Sequence, residues 1–347
     1  MLFRSFGQRW IYNAEQARAL ARSNIAGGAD FVGANDGDGP QEMWAAYADE
    51  AHKAGKAVIL RCLGPQTRGK SCVLAGADVM IHTGQIGNEI SKNPEVWKDY
   101  VGEPSDPYCD MDPAKEKDMI AFLLQHNTAV EPDFIAMDRS MPMNWKRVQQ
   151  EDRDFANLPN LRSYYPEYAF RQVWENVKSP ETYMKPDEIQ RRTLGFKNHA
   201  WFLKHYVDAG GRLVAASDDP QTPPGLGVHQ EMTAFVEDVG LTPMQAIQAG
   251  TSWVADGFKI ADVGRVQAGM LADILIVDAD PSQDIMNLRK INMVLKDGKV
   301  LDRAFHADYK GSMFNNSTLH DFDANVEGSD WADALKRATW QIGRAHV

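Results

Sequence analysis

Cysteine is scarce, and that sets a first bound. Cys62, Cys72 and Cys109 are the three cysteines of a 347-residue chain, too few for a disulfide scaffold and without zinc-ligand spacing. They are expected to be buried, inert thiols. A basic block is missing as well: 37 lysines and arginines stand against 48 acids, for a net charge of −11. Without a Lys/Arg patch to meet phosphates, the composition argues against a nucleic-acid partner. No apolar run approaches the ~18 residues of a spanning helix, so no membrane partner is expected. No signal peptide is visible, and the chain reads as cytoplasmic unless a leader precedes Met1. What is present is ordinary for a soluble globular chain, with 44% hydrophobic residues.

The most informative stretch runs from Gly210 to Gly240. Gly210 and Gly211 stop a helix. Leu213 to Ala216 make a short apolar run, long enough for one buried strand. Ser217, Asp218 and Asp219 follow, and Pro220, Pro223 and Pro224 forbid further strand or helix. A helix comes next, with Met232, Phe235, Val236 and Val239 on one face. Acids at a strand's carboxyl end suit barrel-type chemistry; equally, Asp218 or Asp219 caps a turn.

Upstream the chain alternates. Strands are expected at Ala29–Ala34, Ala57–Leu63, Asp78–His82, Thr128–Ala136 and Leu213–Ala216, each followed by a helix. The clearest helix is Pro186–Ala209, where Ile189, Thr193, Phe196, Ala200, Leu203 and Val207 step by three and four. Such alternation implies a parallel sheet with helices outside. Two long segments, Gln85–Asp112 and Met137–Lys185, read as loops over the carboxyl face, either as a substrate cover or as packing. After Gly264 the pattern turns to short strands, with Asp297-Gly298 as a hairpin turn. Residues 303–347 show no strong period and read as loosely structured.

Several of these residues fall in one order: Ala216-Ser217-Asp218, His229 with Glu231, Gly240 to Pro243, Thr251-Ser252, Gly264, Gly269, Ala272-Asp273 and Pro281. This order resembles the amidohydrolase superfamily, in particular its imidazolonepropionase-like and prolidase-like branch. The resemblance implies an α/β fold, a TIM-type (β/α)8 barrel of which this chain supplies strands four to eight. Residues 1–263 would form the partial barrel. Residues 264–305 would give strands of a small β-sandwich, with 306–347 as a tail.

It also implies a metal centre at the barrel's carboxyl face. Asp218 corresponds to the acid after the eighth strand, a metal ligand and proton shuttle. His82 corresponds to the sixth-strand histidine. The fifth-strand histidine falls at Arg61 and the bridging lysine near Gly33, and His-x-His occurs nowhere in the chain. The expectation is therefore at most one divalent metal per chain, zinc by donor type. Arg61, a permanent cation, suits a substrate carboxylate or a structural acid. His229 is a second candidate for substrate binding, or else it and Glu231 cap and solvate their helix.

The resulting expectation is a metal-dependent hydrolase of C–N bonds, acting on a small amide, cyclic amide or dipeptide-like substrate, with a homo-oligomer as a possible assembly. A rival is a metal-free, ligand-binding member of the same barrel family. A third reading is nucleotide binding, since Gly64-Pro-Gln-Thr-Arg-Gly69-Lys70-Ser71 matches a phosphate-loop pattern, although Pro65 removes one backbone donor. Five strands where a barrel needs eight suggest a chain incomplete at its N-terminus. Ile342–Val347 reads as a sequencing-adapter translation, so His346 is set aside.

Overall fold

Successive side chains of a strand point to opposite faces of its sheet, and this decides which way the charged residues at the strand ends face. A computed structural model describes residues 11–37, 39–62, 67–98, 104–161, 178–218, 222–223 and 225–306. Helix α1 (Ala14–Ala26) starts where the Asn13 side chain accepts the Gln16 N–H at 2.9 Å. Strand β1 (Val32–Gly37) leads to α2 (Gln41–Lys53), β2 (Val58–Cys62), α3 (Gly69–Leu74) and β3 (Val79–Ile81). β4 (Ala129–Glu131) completes a parallel sheet in the order β1-β2-β3-β4. The stretch Arg212–Val214 lies alongside β4 as a fifth, very short strand. Val130 N–H donates to the Arg212 carbonyl at 3.0 Å, and Val214 N–H to the Val130 carbonyl at 2.8 Å.

Two-residue periodicity gives the sheet two faces. Val58, Leu60, Cys62, Met80, Val130 and Leu213 point into the main core among the helices. Ile59, Val79, Ala129 and Val214 form a smaller core on the other face. That second face is closed by helix α12 (Ser252–Gly257), where Gly257 lets the backbone approach; a Cβ there would sit 3.3 Å from that of Ala129. Arg61 and Glu131 continue the second face toward the carboxyl ends, because they follow Ile59 and Ala129 by two residues.

The strand expected to reach Ala136 stops at Glu131. Pro132 has no N–H to offer the ladder, Asp133 turns the chain with φ 47°, and α7 (Phe134–Asp138) begins. The segment 85–112 is not an open loop. It holds α4 (Gly84–Ile90), α5 (Pro94–Trp97) and a 3-10 turn at Asp106–Asp110. Tyr108 is fully buried there against Gly87, and Asp106, also buried, pairs with Arg191 and Arg192. α6 (Pro113–Gln125) then leads into β4. Within 137–185 the chain forms α8 (Trp145–Ala156), and residues 162–177 lie outside the described ones.

α9 (Pro186–Asp208) buries the predicted stripe of Phe196, Ala200, Leu203 and Val207, together with His199. α10 (Gly227–Glu237) and α11 (Pro243–Ala249) follow, the latter opened by a Thr242/Gln245 capping box. β5 (Ile274–Val277), β6 (Ile291–Lys296) and β7 (Lys299–Val300) form a separate antiparallel sheet. Its hairpin turns at Asp297 and Gly298, with φ 51° and 73°. Positive φ at both central residues is the geometry that an Asp-Gly pair favours. Cys62 and Cys72 are joined as a disulfide between β2 and α3, which corrects the expectation of inert thiols; Cys109 is free. Cys62 can reach because it faces the helices, unlike its neighbour Arg61. Among the described residues no helix is long and apolar enough to cross a membrane.

Candidate metal centre

Three side chains from three consecutive strand ends converge. His82 follows β3, Asp133 lies two residues past β4, and Asp218 follows the Leu213 strand. Each offers one ligand atom, and these atoms lie within 4.8 Å of one another. The sequence singled out His82 and Asp218; it missed Asp133. The signal was present, since Glu131-Pro132-Asp133 repeats the strand, acid and proline arrangement that drew attention to Asp218.

The backbone at all three positions is unusual. His82, Asp133 and Asp218 have φ of 51°, 47° and 46°. Left-handed conformation is uncommon outside glycine, and such outliers collect at functional sites. At His82 the main chain adds one rung to the sheet, donating to the Glu131 carbonyl at 2.9 Å, before the turn swings the imidazole toward β4. Its Nε2 lies 3.0 Å from Asp133 Oδ2.

The electrostatics of this corner are poor in positive charge. Burial, and then the nearby Arg61 guanidinium, pushes the His82 imidazole down to about 3, so it is neutral at pH 7. Burial and the neighbouring charges of Glu131, Glu231 and Asp218 push the Asp133 carboxyl well above its ordinary range, against the pull of Arg61. Glu131 is pushed up to about 7 by burial and by Asp218. Glu231 is pushed up to about 8, chiefly by burial, although two backbone amides oppose this.

Those amides belong to α7. Phe134 N–H donates to Glu231 Oε1 at 3.0 Å and Ile135 N–H to Oε2 at 2.5 Å. Glu231 is fully buried, so the expectation that it merely solvates its helix does not hold. On the other side, His199 Nε2 lies 2.6 Å from Thr83 Oγ1, while Tyr108 O–H donates to the Thr83 carbonyl at 2.9 Å. The residue following His82 is thus held from two directions.

Arg61 lies close enough for its charge to bear on both His82 and Asp133. His229 is half-buried on α10, and the charge that bears on it is Arg289; it is not one of the three converging ligand groups. Asp219 and His346 fall outside the described residues.

The phosphate-loop segment is arranged differently from a nucleotide site. Residues 64–66 lie outside the described ones. At the start of α3, Lys70 N–H donates to Glu89 Oε1 at 3.0 Å, so a carboxylate holds the place a phosphate would need. The Lys70 ammonium lies over the Phe122 ring, 5.3 Å from its centroid.

The three converging residues fit a divalent cation by two observations. Their donors are one imidazole nitrogen and two carboxylates, a set that suits zinc and related ions. Asp133 Oδ1 is buried and has no hydrogen-bond partner, a cost of about 1–3 kcal/mol that a ligand could relieve.

Solved structures share this fold at low identity. One is the Xaa-Pro dipeptidase with methionine bound in its active site, at 18% identity and a TM-score of 0.51, covering 84% of this chain and 59% of that one. The ochratoxinase of A. niger aligns at 14% identity and a TM-score of 0.53, covering 86% and 58%. The bottromycin amidohydrolase aligns at 17% identity and 0.59, covering 87% and 62%. The chain thus spans about three-fifths of the length of these structures. No curated protein matches the sequence. The amidohydrolase family profile matches residues 8–301, most of the chain, and the protein belongs to the amidohydrolase family.

Proposed function

We propose that the protein is a metal-dependent hydrolase of a C–N bond in a small amide or dipeptide-like substrate that carries a carboxylate. The observation that carries this reading is the convergence of His82, Asp133 and Asp218 at adjacent strand ends. When bound, a divalent cation supplies Lewis acidity that polarises a carbonyl and lowers the pKa of water. His82, neutral at pH 7, would hold it through nitrogen, and Asp133 and Asp218 through oxygen. Asp218 would take the proton from the attacking water and deliver it to the leaving nitrogen. Water then adds across the bond, oxygen to carbon and hydrogen to nitrogen.

Arg61 would orient the substrate. A guanidinium at the rim matches a carboxylate in a two-point contact. Methionine in the dipeptidase site shows a related fold holding a free amino acid. His229, whose buried Nδ1 has no hydrogen-bond partner, is offered as a second substrate contact.

The rival, a ligand-binding member without hydrolysis, draws on Gly33 and Arg61 standing where the family pattern has ligands. The test is metal content by elemental analysis, with hydrolysis of N-acyl amino acids and Xaa-Pro dipeptides beside their carboxyl-amidated forms. One metal per chain, and cleavage that falls on amidation or in Arg61→Met, is expected. Tight binding of such compounds without turnover by the metal-loaded chain would favour the rival.

A further inference from the structure

Asp133 sits at the N-cap of α7, where an aspartate side chain ordinarily accepts the free amides of the first turn. Here it accepts none of them. The two amides that follow it donate to Glu231 instead, from α10, almost 100 residues later in the chain. Both carboxylates are buried, at 3% and 0% residue exposure, so each arrangement excludes water as a substitute. Asp133 is left with Oδ2 against His82 and Oδ1 unpartnered.

We propose that Glu231 is a positioning residue: it caps α7 in place of Asp133 and so keeps the Asp133 carboxylate in the cation site. This rests on the reading of His82, Asp133 and Asp218 as that site. The physical argument is competition for one acceptor. Buried amides at a helix start must find a partner. If Glu231 is removed, the nearest carboxylate is that of Asp133 itself, which lies within one turn. It would relax from the left-handed conformation to an ordinary extended N-cap and bond its own helix. The helix would remain capped, but the site would lose a ligand. A His-x-Glu pair on α10 then has a division of labour that its spacing alone does not reveal. His229 and Glu231 project to different sides of the helix, and the glutamate serves the strand-end turn of β4.

The test uses the full chain and two readouts. The first is zinc affinity by chelator competition. Glu231→Ala is expected to weaken binding about 10- to 100-fold, the usual cost of losing a ligand's supporting partner, with Glu231→Gln in between because it keeps one acceptor. Phe235→Leu, a buried change on the same helix, should lower the melting temperature without changing zinc affinity. The second readout is hydrogen exchange of the Phe134 and Ile135 amides in metal-free protein. Asp133→Ala alone should leave them protected, Glu231→Ala alone should cost part of the protection, and the double variant should lose it more than additively, because the two carboxylates are alternative caps. Wild-type zinc affinity in Glu231→Ala, or equal loss in Phe235→Leu, would overturn the proposal. Additive exchange effects would do so as well. Should the wild-type chain take up no zinc, the functional reading fails, and the exchange cycle alone decides the role of Glu231.

Discussion

Asp133→Asn offers a sharp test, because it should move two quantities in opposite directions. The substitution keeps the side chain's size and removes an ionisable carboxyl from a corner that also holds Glu131, Asp218 and Glu231. Asp133 and Asp218 ligand atoms lie within 4.8 Å. At an effective dielectric near 20, two charges that far apart repel by about 3 kcal/mol. Arg61 offsets part of this, so a net gain of about 1–2 kcal/mol is expected for the metal-free protein. For a chain of 347 residues, that corresponds to a melting temperature higher by about 1–3 °C.

The sign depends on pH. A carboxyl raised in the folded state costs nothing where the folded and unfolded forms are both protonated, and its cost grows as pH rises above the ordinary carboxylate value. The gain from Asp133→Asn should therefore be present at pH 8 and vanish near about pH 4. Zinc reverses the ranking. A cation stabilises the wild type by binding the folded state, by about 2.7 kcal/mol at 100 times its dissociation constant, while the variant has lost a ligand. Thermal unfolding with and without zinc, at both pH values, measures this crossover. A variant that melts lower than wild type when metal-free, yet keeps full zinc stabilisation, would refute the electrostatic account and the site together.

Other expectations follow from the same geometry. Asp218→Asn should reduce hydrolysis by about 100-fold or more, as for loss of a positioned proton carrier; measured kcat within a few-fold of wild type would remove Asp218 from that role. Elemental analysis should give no more than one divalent metal per chain, and two equivalents would mean that ligands beyond His82, Asp133 and Asp218 are present. His199 is fully buried with its imidazole pushed down to about 3 by burial. The unfolded chain therefore binds the extra proton between that value and its ordinary one, and stability should fall as pH drops from about 6.5, by up to about 1.4 kcal/mol per pH unit. His199→Phe should flatten that part of the acid-unfolding curve, and an unchanged curve would argue against it. Thiol titration of unreduced, denatured protein should find one free cysteine, Cys109, rising to three after reduction.

How legible all this was in the sequence varied from element to element. α9 was legible because its apolar stripe is long and periodic, and the Asp297-Gly298 hairpin because its turn chemistry is local. The end of β4 was not. Ala-Val-Glu followed by Pro-Asp-Phe-Ile-Ala carries enough apolar residues to read as one continuous strand, while Pro132 was the physical reason to stop it. Extending the strand hid both Glu131, which ends it, and Asp133, which turns away from it. The Cys62–Cys72 link was hidden for a different reason. It depends on Cys62 and Cys72 facing each other between sheet and helix, and spacing alone does not show facing. His82 and Asp218 were singled out through resemblance; from residue type alone, Asp218 could equally cap a turn.

The left-handed turns connect these observations. A non-glycine residue in that conformation costs about 1–2 kcal/mol, so three together need external support. At His82 the support comes from His199 and Tyr108 acting on Thr83. At Asp133 it comes from Glu231. At Asp218 the preceding Ser217 carbonyl accepts the Thr222 hydroxyl, and Gly227 packs so tightly against that turn that a Cβ would overlap Thr222 and come within 2.7 Å of the Ser217 side chain. The supports come from α9, the 3-10 turn, α10 and the loop that precedes it, elements spread over more than 100 residues of chain. The hydrogen bonds they make are polar contacts that apolar packing alone does not require. Their common effect is to aim one imidazole and two carboxylates at the same point, despite mutual repulsion that folding alone would avoid. That arrangement makes physical sense if a positive charge occupies the point in the working protein.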